Sequence, residues 1–397
     1  MIYFDNSSTS PVDPEVLDAM LPYLKEEYGN PSNKYYYKAE HAKRAVEEAR
    51  ESVAKLLGAK AENIIFTAGA TESTNFILKG YMDYRRYYGD GKNHIITSLA
   101  EHKATLNTCR YLNGELYSNN DPTVSLFGEK RRVDRGYEAS FVGVTDSGEI
   151  TAEAIEAEMK ENTAMVSVLY VNNEVGTVSD IKKIAELCRQ RGIAFHTDLT
   201  QAVGKLPIDA EEMGLDYASC SAHKIYGPKG VGAALLKADA YGIEPITALL
   251  HGGEQEFGVR AGTLAVHNIV GFGKAAEIAC KSLKDDMERV RRLDKMAVKM
   301  LTQIPDVRLT NPGDNRMPGI ISIIVDRQNF HNERFVKQIS SELALSTGSA
   351  CSAGEPSYVI DAMGLRDKVT RVLRISLGKY TSEEDIVSLT EVLKKNI

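Results

Sequence analysis

Two hydrophobic patterns alternate along the first 260 residues of the chain. Short apolar runs rich in β-branched residues are typical of buried strands. Such runs cover residues 63–67, 94–98, 164–170 and 193–198. Between them, apolar residues recur at helical spacing over 40–57 and 180–191, and Gly58 is suited to cap the first of these helices. Because the strands show little alternation, the pattern predicts an α/β protein with a mostly parallel sheet covered on both faces.

The pattern changes after about residue 260. A long amphipathic helix is predicted over residues 273–303. The remaining predicted elements are strands over 319–325 and 371–377, helices over 332–344 and 381–395, and a glycine-rich segment over 346–354. This order predicts a second, smaller α+β domain, and 397 residues are enough for two domains. Ligands of parallel sheets bind at the carboxyl ends of the strands, so polar residues there are the first candidates for a site.

Composition and charge narrow the class of protein. Hydrophobic residues make up 43% and charged residues 26% of the chain, which is typical of a globular protein. The net charge of −7 argues against direct nucleic-acid binding, since such domains are usually basic. We expect no membrane span and no signal peptide, because no apolar run approaches the roughly 18 residues of a span. The five cysteines are widely spaced without a CxxC pair, so we expect no disulfides, no metal site and a cytoplasmic location.

Residues 67–75, Thr-Ala-Gly-Ala-Thr-Glu-Ser-Thr-Asn, lead from a predicted strand through a glycine turn into a helix. The free N–H groups and the dipole of a helix N-terminus favour a phosphate, and the Thr71 hydroxyl adds a donor. The alternative is an ordinary capped helix, since Thr71 and Ser73 are common capping residues. The glycine fingerprints of dinucleotide sites and P-loops are missing from the sequence.

Two further strand ends carry candidate chemistry. Asp198 ends an apolar strand, where a cationic ring nitrogen would compensate its charge, and Gln201 follows within reach of a neighbouring ring oxygen. The alternative role of Asp198 is a helix cap. Lys224 follows Ser221 and His223 at another strand end, and a buried lysine has a lowered pKa and can bind an aldehyde covalently. The alternative is a surface lysine whose ammonium group reaches solvent.

An anion site, a carboxylate for a pyridine nitrogen and a lysine for an aldehyde are together what pyridoxal phosphate needs. With these motifs the chain resembles the cysteine desulfurases of the NifS and IscS type, class-V members of the fold-type I aminotransferase superfamily. The resemblance runs from Asp5 to about residue 395. Its motifs are Thr-x-Gly-Ala-Thr-Glu-Ser, Glu101-His-Lys, Val171-Asn-Asn-Glu-Val-Gly, Asp198-x-x-Gln201, His223-Lys-Ile-Tyr-Gly-Pro-Lys-Gly, Arg260-x-Gly-Thr and Ser349-Ala-Cys.

The resemblance implies a fold and an activity. The fold has a large cofactor-binding domain over residues 13–258, built on a mainly parallel seven-stranded sheet. Residues 1–12 and 259–397 form the smaller α+β domain, which carries the catalytic cysteine. The activity converts L-cysteine to L-alanine and holds the sulfur as a persulfide on Cys351, from which it passes to an acceptor protein.

The resemblance also implies the residues that bind the cofactor. Lys224 is expected to bind the aldehyde, Asp198 the pyridine nitrogen and Gln201 the phenolic oxygen. The residues expected to hold the phosphate are Ala70, Thr71, Ser221 and His223. Thr263 is expected to reach the phosphate bound by a partner subunit, which implies a homodimer with shared active sites.

Catalytic and substrate-binding residues follow from the same resemblance. His102 is expected to stack on the cofactor ring and to shuttle protons, because the pKa of histidine lies near 7. Asn173 is expected to contact both cofactor and substrate. Arg374 is expected to bind the substrate carboxylate in bidentate fashion, and Arg260 is a further substrate-binding candidate.

Cys351 lies between small residues, Ser346-Thr-Gly-Ser-Ala before it and Ser-Ala-Gly after it. This composition favours a mobile loop that carries the thiol between cofactor and acceptor. The alternative is a small buried cysteine in a turn. That is the role expected of the other four cysteines, Cys109, Cys188, Cys220 and Cys280.

Four features differ from the housekeeping iron–sulfur desulfurases. Tyr35, Tyr36 and Tyr37 stand where a histidine-containing segment is usual, the segment after Cys351 is shorter, and the chain ends at Ile397 without a C-terminal extension. A stretch over residues 114–140 has the character of an insertion. Its basic residues Lys130, Arg131, Arg132 and Arg135 form either a solvated loop or a docking patch.

These differences leave the pathway of the acceptor open among iron–sulfur assembly, tRNA thiolation and DNA phosphorothioation. The alternatives to a desulfurase are a selenocysteine lyase, a small-amino-acid aminotransferase and a sulfur-carrier subunit without catalysis.

Overall fold

A computed structural model of the chain describes residues 1–115, 133–239, 242–243, 246–348 and 357–397. The helices are α1 (Pro14–Lys25), α2 (Tyr37–Leu57), α3 (Ala70–Tyr87), α4 (Lys103–Leu112), α5 (Ala152–Ala157), α6 (Ile181–Arg191), α7 (Val266–Leu301), α8 (Asn332–Gln338), α9 (Tyr358–Ala362) and α10 (Glu383–Asn396). Among the described residues, no helix combines the length and the apolar character needed to span a membrane.

The strands are β1 (Ile2–Tyr3), β2 (Ile64–Thr67), β3 (His94–Ser98), β4 (Glu138–Val142), β5 (Thr163–Leu169), β6 (Ala194–Asp198), β7 (Tyr217–Ser221), β8 (Gly232–Leu236), β9 (Ala238–Asp239), β10 (Gly242–Ile243), β11 (Val307–Leu309), β12 (Ile320–Val325), β13 (Leu343–Ala344) and β14 (Val372–Ser376). Most of the inserted stretch, including Lys130, Arg131 and Arg132, lies outside the described residues.

The central sheet has seven strands in the order β2-β8-β7-β6-β5-β3-β4. β8 runs antiparallel to both of its neighbours, and every other pair is parallel. All of these strands except the outer β4 are buried at every position, as expected for a sheet covered on both faces. The predicted α/β class and the mainly parallel seven-stranded sheet are confirmed.

The edge strand β2 leads directly into the turn at Ala68 and Gly69, from which α3 starts. A buried ion pair binds its outward backbone groups: Arg50 Nη1 donates to the Ile64 carbonyl at 2.7 Å, and Glu256 Oε2 accepts from the Phe66 N–H at 2.6 Å. Arg50 and Glu256 bind each other through two hydrogen bonds of 2.8 Å. The pair therefore closes a sheet edge whose backbone groups would otherwise lack partners.

The long helix α7 begins at Val266 rather than at the predicted residue 273. The sequence hides this start because Gly271 and Gly273 are poor helix formers. The structure shows why they are there: a Cβ atom at Gly273 would lie 2.6 Å from the Cα of Ala49, and one at Gly271 would lie 2.7 Å from Met20 Sδ. The two glycines permit α7 to pack closely against α1 and α2.

A second core forms on the antiparallel sheet β11-β12-β14. The C-terminal half of α7 contributes Leu293 and Leu301 to this core, and Phe4 joins them from the N-terminus. The predicted helix over 332–344 is wrong in its last residues, because α8 ends at Gln338 and β13 pairs in parallel with β1. Because β1 and β13 are more than 300 residues apart in the chain, no local sequence pattern indicates that they pair. The domain boundaries at residues 13 and 259 stay a prediction.

We expect Glu256→Gln to lower the free energy of unfolding by about 3–5 kcal/mol, because it removes the only buried carboxylate paired with the Arg50 guanidinium among the described residues. The matched control is Glu47→Gln. Glu47 also pairs with Arg50, at 3.1 Å, but its side chain is 49% exposed, so this change costs about 1 kcal/mol or less. Denaturant unfolding of the two variants measures the difference, and equal losses would contradict the assigned role of Glu256.

Candidate active site

A cavity of about 850 Å³ opens at the carboxyl edge of the seven-stranded sheet. It is lined by ten of the residues singled out from the sequence: Ala70, Thr71, His102, Asn173, Asp198, Gln201, Ser221, His223, Lys224 and Arg374. Two further candidates do not line it. Arg260 instead forms a two-bond ion pair with Glu72, and Thr263 is exposed. Cys351 lies outside the described residues.

One end of the cavity is suited to a phosphate. Helix α3 begins after Gly69, which has a φ of 151° and provides no side-chain cap for the first turn. The alternative of a capped helix is therefore wrong, because Ser73 Oγ contacts Thr67 Oγ1 at 2.7 Å and Thr71 lines the cavity. Gly232 packs behind the turn, where a Cβ atom would lie 2.7 Å from the Cα of Gly69. The Ala68 N–H binds Glu72 Oε2 and the Gly69 N–H binds Thr67 Oγ1, so the groups open to an anion are the N–H groups of the first turn of α3.

Ser221 and His223 border the same end of the cavity, after β7. Burial lowers the pKa of His223 to about 4, with smaller contributions from Lys224 and other cations, so its ring is neutral at neutral pH. Its Nδ1 atom lies 3.1 Å from Thr9 Oγ1. A neutral imidazole with one nitrogen engaged in this way can still offer the other to a phosphate.

Lys224 lines the cavity. Its ammonium group donates to the carbonyls of Ser7 and Ser8, the latter at 2.6 Å. The pKa of Lys224 is lowered to about 7, first by burial and then by the positive charges of Lys205 and Arg374, against the opposite effect of Asp5 and Asp198. The alternative of a surface lysine is wrong. The lowered pKa favours the neutral, nucleophilic form of Lys224 near neutral pH.

Asp198 ends β6 and lines the cavity, and it is 6% exposed. Its Oδ1 atom accepts from the Thr200 N–H at 2.9 Å, which orients the carboxylate. On the same strand, His196 is buried against Ser167, and burial lowers its pKa to about 4, so it brings no competing charge. The Asp198 carboxylate is thus available for a cationic ring nitrogen above it.

His102 occupies the N-cap position of α4, which sequence reasoning did not foresee. Its Nδ1 atom accepts from the Ala104 N–H at 3.2 Å. Because that nitrogen acts as an acceptor, we assign the ring proton of the neutral form to Nε2. The cap fixes the ring at the cavity wall, and Tyr358 secures the turn by donating to the Glu101 carbonyl at 2.8 Å.

Arg374 is almost fully buried, and three of its five N–H groups are engaged. Nη1 donates to the Asn173 carbonyl at 2.8 Å, and Nη2 donates to Asp5 at 2.8 Å and to Ser8 Oγ at 2.6 Å. The Nε atom has no partner among the described residues. An unpaired donor on a buried guanidinium that lines the cavity is suited to a carboxylate ligand.

The two ends of the segment that contains Cys351 lie against one carboxylate. Ser357 Oγ donates to Glu174 Oε2 at 2.6 Å, and a Cβ atom at Gly348 would lie 2.9 Å from the same oxygen. Ser346, just before Gly348, exchanges two backbone hydrogen bonds with Arg374. Glu174 follows Asn173 directly, so the segment leaves and rejoins the described structure beside the cavity.

The four other cysteines are not suited to nucleophilic chemistry. Cys109, Cys188 and Cys220 are buried, as predicted, whereas Cys280 is only half-buried. Burial raises the pKa of all four thiols, to about 12 for Cys188 and Cys220, so none of them is a thiolate near neutral pH.

The residues present fit pyridoxal phosphate. The first turn of α3 offers free N–H groups to the phosphate, Asp198 offers a carboxylate to the ring nitrogen, and Lys224 offers an amine of lowered pKa to the aldehyde. Sequence reasoning missed Ser7 and Ser8, which bind Lys224 from more than 200 positions away. The only sequence feature that indicated Ser7 and Ser8 is that they lie just after Asp5, where the family resemblance begins.

Comparisons with known proteins agree with this site. The model of the aminotransferase class-V family matches residues 2–117 and 126–389. The cysteine desulfurase IscS of Rickettsia typhi is 38% identical over 389 residues, which cover 97% of this chain and 88% of the relative. Among solved structures, a NifS-like protein is 33% identical with a TM-score of 0.86, covering 99% of this chain and 98% of its own. SspA in complex with cysteine is 33% identical with a TM-score of 0.77, covering 96% of this chain and all of its own.

We expect cofactor loading of the apo-protein to follow the neutral fraction of Lys224. Because its pKa is lowered to about 7, the loading rate should fall about tenfold per pH unit below 7 and level off above it. A lysine of ordinary pKa would be neutral in less than about 0.1% of molecules at pH 7, and its rate would still rise at pH 9. The growth of the visible cofactor band after mixing measures the rate, and a profile that rises steadily to pH 9 would contradict the assignment.

Proposed function

The chain belongs to the aminotransferase class-V family, and on this premise we propose that it is a pyridoxal-phosphate-dependent cysteine desulfurase. It converts L-cysteine to L-alanine and passes the sulfur, held as a persulfide on Cys351, to an acceptor protein. The relatives that match over nearly the full chain carry the name cysteine desulfurase. They do not favour the alternatives of a lyase, an aminotransferase or a carrier without catalysis.

The observation that carries the proposal is the convergence of Lys224, Asp198 and the free turn at Gly69 on one cavity. These residues come from three different strand ends, and only the fold brings them together. The lowered pKa of Lys224 supports a catalytic rather than a structural lysine. A non-catalytic carrier would have no need for this arrangement.

The cofactor, when bound, stabilises negative charge on a substrate carbon that has lost a proton. The remaining work is assigned to the side chains of this protein. The neutral Nζ of Lys224 takes the α-proton, and Asp198 keeps the ring nitrogen protonated. His102, held by its N-cap bond with Nε2–H directed away from the helix, holds a proton for the carbon or sulfur of the substrate. Arg374 and Asn173 bind the substrate, with the Nε–H of Arg374 available for its carboxylate.

Sulfur transfer is assigned to Cys351. Its thiolate attacks the sulfur of the bound cysteine, an S–S bond forms on the protein, and the Cβ–Sγ bond breaks. The electron pair of that bond stays with the carbon, which takes up a proton and leaves as L-alanine. The contacts of Gly348 and Ser357 with Glu174 support this role, because they place both ends of the cysteine-bearing segment beside Asn173 and Arg374.

We extend the proposal to a homodimer with shared active sites. Thr263 is exposed and does not line the cavity of its own chain, which supports a contact with the phosphate of a partner subunit.

Arg260, bound to Glu72 at the cavity wall, is retained as a substrate-binding candidate that would have to leave this ion pair. A reducing, cytoplasmic setting is proposed for the free thiol of Cys351. The acceptor protein is proposed to belong to iron–sulfur assembly, tRNA thiolation or DNA phosphorothioation.

We expect Cys351→Ser to reduce alanine formation from L-cysteine by about three orders of magnitude or more, because the nucleophile is lost. The visible cofactor band should be unchanged, since Cys351 holds no part of the cofactor. The matched control is Cys280→Ser, a half-buried cysteine on α7, which should keep the parent rate. Alanine production at the parent rate in Cys351→Ser would refute the nucleophile, and loss in both variants would show a merely structural effect.

A further inference from the structure

A second lysine, Lys205, lies beside the first one. It follows β6 in the chain, and its Nζ atom donates to Gln201 Oε1 at 3.0 Å. Gln201 in turn donates from Nε2 to the Ser7 carbonyl at 2.8 Å, and the Lys224 ammonium group donates to that same carbonyl. The two lysines are therefore the ends of one hydrogen-bonded chain that passes through Gln201 and Ser7. They also line one small cavity of about 60 Å³.

Lys205 and the Ser7 carbonyl together determine which way the Gln201 amide points. A lysine ammonium group has three donors and no acceptor, so the amide atom that faces it must be the oxygen. The nitrogen then faces Ser7, and one of its two hydrogens binds the Ser7 carbonyl. The second hydrogen is left for the cavity, which Gln201 lines. With the amide reversed, two donors would face each other and the cavity would meet an acceptor instead.

The charge of Lys205 is not neutralised nearby. Within the part of the chain that the structure describes, no carboxylate lies at ion-pair distance from it. Its pKa is lowered to about 8, first by burial and then by Arg374. After burial, Lys205 is also the largest cause of the lowered pKa of Lys224, with Arg374 acting in the same direction and Asp5 and Asp198 against it. Burial and the neighbouring positive charges thus lower the pKa of both lysines.

We propose that Lys205 is a positioning residue for the desulfurase reaction: together with the Ser7 carbonyl it holds the donor end of Gln201 toward the cofactor oxygen, and its unpaired positive charge beside Lys224 opposes a second positive charge there. The inference rests on the proposed function for its meaning. The coupling of the two lysines through Gln201 and Ser7 does not depend on that function. It can be measured without any enzymatic turnover.

The test compares two substitutions of Lys205 in the full-length protein. Lys205→Met keeps the length of the side chain and removes both charge and donor. Lys205→Arg keeps charge and donors, and the small cavity beside residue 205 gives room for the longer side chain. The protein is freed of cofactor with a carbonyl trap, and Lys224 is labelled with acetic anhydride across the pH range. The exposed Lys25 serves as internal standard, and mass spectrometry counts label on each peptide.

We expect the midpoint of Lys224 labelling to move up by about one pH unit in Lys205→Met, the size expected on losing one nearby like charge. Lys205→Arg should titrate as the parent does. The proposal would be overturned if folded Lys205→Met protein had the same midpoint of Lys224 labelling as the parent protein. Equal shifts of this midpoint in both variants would also overturn it. Circular dichroism establishes that each variant is folded.

A second measurement separates this inference from the proposed function. In the cofactor-loaded protein, Lys205→Met should also raise the pH at which the visible band titrates, because Gln201 keeps only one of the two partners that orient its donor. If no variant or parent protein binds the cofactor, the proposed function fails while the labelling result still decides the coupling. A raised labelling midpoint with an unchanged band would overturn the part of the proposal that concerns Gln201.

Discussion

The amine of Lys224 is buried at the carboxyl edge of the sheet, and burial disfavours its charged form. The neighbouring groups of the site determine how far the pKa of this amine is lowered. Two serine carbonyls bind the amine, yet the carboxylates of Asp5 and Asp198 only partly offset the burial and the nearby cations. A lysine exposed to water would be protonated near neutral pH and unable to act as nucleophile or base. The active site therefore depends on a balance of charges as much as on the position of any one side chain.

The fold supplies this balance by joining distant parts of the chain. The central sheet contributes Asp198 and the approach to Lys224, while the N-terminal residues that bind the amine also reach the second core through Phe4. Arg374 comes from the second sheet and links Asp5 to the Asn173 carbonyl. The cavity thus lies where both cores meet, so a shift of one against the other would change the charge around Lys224.

Much of this arrangement could be predicted, because strand ends and a glycine turn carry local signals. The residues of the turn, Asp198 and Lys224 were identified in this way, and Gly58 does cap α2 in the left-handed conformation. The rest required contacts that no local pattern encodes. Ser7 and Ser8 act through their carbonyls, which any residue possesses, and the start of α7 was hidden by glycines needed for packing.

Lys205 is a charged residue whose role also could not be predicted from a local sequence pattern. In the sequence it is one of 48 basic residues, with nothing in its neighbours to distinguish it. Only the folded chain places it against Gln201.

The most direct test of the central claim is to reduce the cofactor-loaded protein with borohydride and locate the label by peptide mass spectrometry. The account predicts one pyridoxyl group per chain, on Lys224; a label on Lys205, Lys103 or Lys229, or no label at all, would contradict it.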